Sequence, residues 1–231
     1  MITNAKTHSV QNTAKIAGWL YLSLIPLGIL GIIYVPATLF VAGDVGATIS
    51  NIITNELLFR VGIVSAFLVQ LVGICVVLYL YKLLKSVNQS HALLMVLFQL
   101  LAVPITLVNE LFHVAVLVLL NTPEPSHQLV SLFLELHHHG IFVSQIFWGL
   151  WLFPMGYLVF KSGFLPKILG ILLIIGCMGY LIDSVTHFML PDFGFTVSEF
   201  TFVGELLLPL WLVIKGVYVE SQSSEATEST W

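Results

Sequence analysis

The chain is 231 residues long, with 58% hydrophobic and 9% charged residues and a mean hydropathy of +1.01. Soluble domains carry about 25% charged residues, and so apolar a chain cannot cover a water-facing surface with polar groups. Its wealth of Leu, Ile, Val and Phe excludes disorder. The net charge is −4, with only 8 Lys plus Arg and no basic cluster, which excludes a nucleic-acid interface. What remains is an integral protein whose first partner is the lipid bilayer.

Apolar runs of about 20 residues mark membrane-crossing helices. Six occur, at residues 16–41, 57–81, 92–120, 136–160, 168–190 and 197–217. They are long and continuous, unlike the short alternating strands of an outer-membrane barrel. The first is too long for a signal peptide and ends without a small-x-small cleavage site, so it reads as an uncleaved span. Between the first two runs, Asp44 can cap a helix. Ile49, Ile52, Ile53 and Leu57 follow at helical spacing, which predicts a short amphipathic helix on the membrane interface. Later breaks fall at Ser86-Val87-Asn88, at 121–125 with Pro123 and Pro125, at Ser162-Gly163 with Pro166, and at Pro191-Asp192. The expected fold class is therefore all-α, a polytopic transmembrane helix bundle of six spans. Residues 1–14 and 219–231 form polar tails around a membrane domain at 15–218.

Orientation follows from charge. Lys6, Lys15, Lys82, Lys85, Lys161, Lys167 and Lys215 fall on one side of the six-span topology, and Arg60 alone falls on the other. The positive-inside rule makes the lysine side cytoplasmic and puts both termini inside. Cys75 and Cys177 each lie within an apolar run and read as small apolar residues.

Three stretches carry a resemblance. FWGLWLFPMGYLVFKSGFLPKILGILLIIGCMGYLIDS (147–184), VGELLLPLWLVIKGV (203–217) and the earlier AKIAGWLYL (14–22) resemble the DUF4386 family of small bacterial and archaeal membrane proteins. The stretch ending NELLFRVG and KLLKSVN (82–88) fit it as well. The resemblance covers about residues 14–218. It implies a multi-pass protein of the bacterial cytoplasmic membrane and carries no activity with it.

Ionisable groups inside spans are costly, about 2.5–3.5 kcal/mol or more each at the centre. At about 1.5 Å per residue, Glu110, Asp183 and Glu205 lie roughly 15, 10 and 12 Å below the outer membrane surface of the six-span topology, so the polar residues collect in the outer half. Glu110 and His113 share a helical face, as do Asp183 and His187, with Tyr180 one turn below. Asn109 adjoins Glu110, and His138 aligns with Gln145. Arg60 is the only permanent positive charge near the three carboxylates. Turned inward, these faces would make one outward-facing polar chamber.

Four uses of that chamber stay open. Arg60, Asn109, Glu110, Gln145, Tyr180, Asp183 and Glu205 would bind a small extracytoplasmic ligand. His113, His187 and one of His137–His139, taken as His138, would hold a divalent transition metal, and a metal-activated water would then make a hydrolase of lipid-like substrates. Carboxylate and imidazole chains also serve proton- or cation-coupled transport. Finally, the same groups can simply pair with one another as interhelical glue. No phosphate loop, serine-triad pattern or CxxC motif is present. The sequence leaves a homo-oligomer or a partner protein open.

Overall fold

A computed structural model describes residues 2–123, 125–190 and 193–218, with side chains from residue 8 onward. The turn expected at Pro191-Asp192 and the tail expected at 219–231 lie outside the described residues. All regular structure within them is helical.

The first rod runs from α1 (Ile2–Gly28) through a π-helical segment (Ile29–Tyr34) into α2 (Val35–Leu39). It starts within the stretch expected as a tail. The π-helical segment lies between Pro26 and Pro36, each of which removes one donor from the helical ladder. Gly43, at φ +76°, makes the turn that follows, a conformation that favours glycine. Asp44 then caps α3 (Val45–Thr54), accepting from the Ala47 amide at 2.8 Å. The short helix read from the sequence is thus present. It buries Thr48, Ile49 and Ile52, leaves Ile53 exposed, and packs on α2, α4 (Glu56–Leu84) and α6 (His127–Leu150).

α5 (Gln89–Leu120) is capped by Asn88, and α6 by Ser126. The fourth long rod breaks at Trp151 into α6 and α7 (Leu152–Lys161). Pro154 sits three residues on, and its ring crowds the carbonyl of Leu150. α8 (Lys167–Met189) follows. The last apolar run is not one helix. It divides at Phe202 into α9 (Ser198–Thr201) and α10 (Val203–Ile214).

Among the described residues, five rods are long and apolar enough to cross a membrane: His8–Leu39, Glu56–Leu84, Gln89–Leu120, His127–Lys161 and Lys167–Met189. Their outward faces are apolar: Leu57 is 76% exposed and Val118 63%. In water such a surface would be untenable; against lipid tails it costs nothing.

Two apolar cores occupy opposite ends of the bundle. One gathers Ala14, Leu84, Ala92, Leu165 and Val217. At that end the Gln11 side chain donates to the Val217 carbonyl at 2.6 Å and accepts from its amide at 3.2 Å. The two ends of the described chain are therefore neighbours. The other core gathers Leu39, Ile52, Phe59, Val116 and Val130, and the polar site lies beside it.

Candidate functional site

α5 presents a polar stripe. Thr106, Asn109, Glu110 and His113 recur at helical spacing and are all buried. α6 packs against this stripe, and its residues His137 and Ser144 turn toward it and are buried too.

Glu110 is the centre of the arrangement. Its Oε2 lies 3.2 Å from His113 Nδ1, and its Oε1 lies 2.9 Å from His137 Nε2. The two imidazoles stack, with ring centroids 3.4 Å apart and planes inclined by 22°. One donor atom from each of the three residues falls within 4.8 Å of the other two. Asn109 ties α6 to α5 by donating to the His137 carbonyl at 3.0 Å. A Cβ at Gly140 would overlap the Asn109 side chain, so glycine there is what lets the helices approach. Phe59 meets the His113 ring edge-on at 5.1 Å, and Phe40 lies at 6.1 Å.

The cluster faces a cavity of about 640 Å³. Its walls come from the first rod (Leu27, Gly31, Ile32, Val35), α4 (Gly62, Ala66, Gln70) and α6 (Leu134, His138, Ile141, Trp148), with Asp44 and Thr48 toward α3. The volume suits a small ligand, and a mostly apolar wall with a few convergent polar groups is how such pockets are built. His113 Nε2, Asn109 Oδ1 and Thr106 Oγ1 are buried, with no hydrogen-bond partner among the described residues. Buried polar atoms without partners are rare in native proteins and mark places where a ligand, ion or water belongs.

The remaining expected residues have other partners. Arg60 points outward into an exposed pair with Glu56 at 2.6 Å. It lies one residue beyond Phe59, about 100° around the helix from the cavity face, so it does not balance the three carboxylates. Asp183 is 2% exposed and accepts from the amides of Val197 and Ser198 at 2.7 and 2.8 Å, capping the start of α9. Glu205 receives the Tyr21 hydroxyl at 3.3 Å, and Tyr180 adjoins the same carboxyl. Gln145 has a buried Oε1 without a partner among the described residues, and it is not among the cavity's lining residues. The three carboxylates thus occupy three separate settings rather than one chamber. The metal set expected from the sequence also divides. His113 pairs with Glu110, whereas His187 pairs with His139, and His138 lies 5.5 Å from His187 between ring centroids.

Choosing His138 over His137 missed the residue that meets Glu110. Three consecutive histidines point about 100° apart, and only the rotation of α6 against α5 selects among them. Gly140 was a usable signal, because a glycine beside the histidines hints at close helix contact. Gln70, buried in the cavity wall, was a second signal, as an uncharged polar residue in mid-span.

An all-helical bundle with five apolar rods and a lipid-compatible surface is a multi-pass membrane protein. Comparison with known proteins narrows the class. The model of the family described as "Domain of unknown function (DUF4386)" matches residues 16–216, and the chain belongs to that family. An uncharacterized protein of Archaeoglobus fulgidus is 34% identical over 154 residues, covering 67% of this chain and 83% of that protein. No solved structure matches.

Proposed function

We propose that this protein binds a divalent transition metal through Glu110, His113 and His137, at the wall of a cavity that admits a small ligand. The observation that carries this reading is the convergence of two imidazoles and one carboxylate from two helices, all three buried. Two nitrogens and one oxygen suit zinc and its first-row neighbours. Three protein ligands leave a coordination position open, as in catalytic rather than structural zinc sites. The unpartnered Thr106 and Asn109 oxygens nearby could orient a water or ligand group at that position.

The chain is read as six-spanning, with α9 and α10 together as the last, shorter crossing and both termini cytoplasmic in a bacterial membrane. The Gln11–Val217 contact supports an even number of crossings. Lys15, Lys82, Lys85, Lys161, Lys167 and Lys215 support the orientation, and the site then opens toward the outside. A second reading, metal-dependent hydrolysis of a lipid-like substrate, is favoured by the cavity beside the open coordination position.

The test is thermal unfolding of the purified protein in detergent, with zinc and with chelator. Zinc at 100 times the Kd of this site should stabilise by about 2.7 kcal/mol, reversed by chelator, and Glu110→Gln should lose that increment. An equal melting temperature in zinc and in chelator would refute the metal reading.

A further inference from the structure

We propose that His139 and His187 form a second, exposed divalent-metal site that captures the ion destined for the buried one, with His138 as the intermediate ligand. This rests on the reading above only for the ion's destination; the outer site stands on its own geometry.

His139 Nδ1 and His187 Nε2 lie 2.8 Å apart, on α6 and α8. Without a metal, one nitrogen donates its proton to the other. Two imidazoles on one tetrahedral zinc, at about 2.0–2.1 Å each, place their nitrogens about 3.3 Å apart. The pair needs to open by only about half an ångström, which exposed side chains accommodate. The His187 ring is already held in place. Phe142 stacks flat on it, with centroids 3.6 Å apart and planes inclined by 8°, and Phe188 meets it edge-on at 5.0 Å. A ligand whose ring plane is fixed by packing loses less freedom on binding.

The helical periodicity of α6 links this pair to the buried cluster. His139 faces α8, His137 faces Glu110 on α5, and His138 lines the cavity between those directions. The His138 ring lies 5.5 Å from His187 and 5.8 Å from His139. Three consecutive imidazoles of α6 therefore face, in turn, the exposed pair, the cavity and the buried triad. Neutral imidazole nitrogens bind and release first-row metals, so His138 can take an ion from the outer pair and release it into the cavity that the buried triad also lines.

The test is zinc stoichiometry of the full chain in detergent, with the rate of cobalt loading followed by absorbance. The wild type should bind two ions, and His139→Ala/His187→Ala and Glu110→Gln should each bind one. In the double variant the remaining cobalt should load at least tenfold more slowly with its Kd unchanged. Its surviving buried ion reports that the variant is folded. One ion lost only in Glu110→Gln would overturn the outer site and leave the buried one intact. One ion lost only in the double variant would support the outer site and refute the buried one. Two ions with an unchanged loading rate would overturn the capture role. No bound ion would overturn both sites.

Discussion

His113 and His137 stack face to face at 3.4 Å between centroids while each directs a nitrogen at the same Glu110 carboxylate. The pair spans two helices, so it reports on their mutual position as well as on ligation. Removing either ring should act on both. In the His139→Ala/His187→Ala background, where only the buried ion remains, His113→Ala and His137→Ala should each abolish the zinc-dependent rise in melting temperature, and removing both rings should cost no more than removing either. That non-additivity is expected where residues act as one unit. Additive losses, equal with and without chelator, would mean that the rings only pack.

Gly140 tests the helix contact without touching a ligand. A methyl group there collides with the Asn109 amide, and overpacking of this kind costs about 1–3 kcal/mol. Gly140→Ala should therefore lower stability and weaken metal binding together. Gly28 is the control: it lines the cavity, and a Cβ there meets nothing within 4 Å. Gly28→Ala should leave stability unchanged or slightly raised. Denaturant unfolding of the two variants decides.

Asp183 should behave as a structural residue. Its two oxygens hold the Val197 and Ser198 amides, which within a membrane have no water to replace them. Asp183→Ala should cost about 1–3 kcal/mol per orphaned amide while leaving zinc stoichiometry at the wild-type value. Loss of the buried ion in a folded Asp183→Ala protein would return this carboxylate to the site.

Arg60 should matter least. Its ion pair with Glu56 is half-exposed, and such pairs contribute about 0–1 kcal/mol. Arg60→Ala should leave both the melting temperature and the zinc Kd close to wild type. A tenfold change in Kd would show that the side chain reaches the cavity after all.

These expectations separate what hydropathy and spacing can carry from what they cannot. The long rods were readable because lipid demands about 20 apolar residues per crossing, and Glu110 with His113 was readable because i, i+3 positions share a face. Asp44 declared its helix by its capping chemistry. The choice between His137 and His138 was not readable, since it depends on how α6 is rotated against α5. The setting of Asp183 was hidden for a similar reason: its partners are backbone amides of a later segment, and backbone amides leave no mark in a sequence. The break at Phe202 lies among Phe200, Phe202 and Val203 in a run that is mostly apolar, and hydropathy passes over it.

The most direct test of the central claim is X-ray absorption at the zinc edge on the His139→Ala/His187→Ala protein, which leaves only the buried site. The account predicts a first shell of two imidazole nitrogens and oxygen at about 2.0–2.2 Å, with the shell absent in Glu110→Gln/His113→Ala/His137→Ala. An all-oxygen shell, or one that survives the triple variant unchanged, would contradict it.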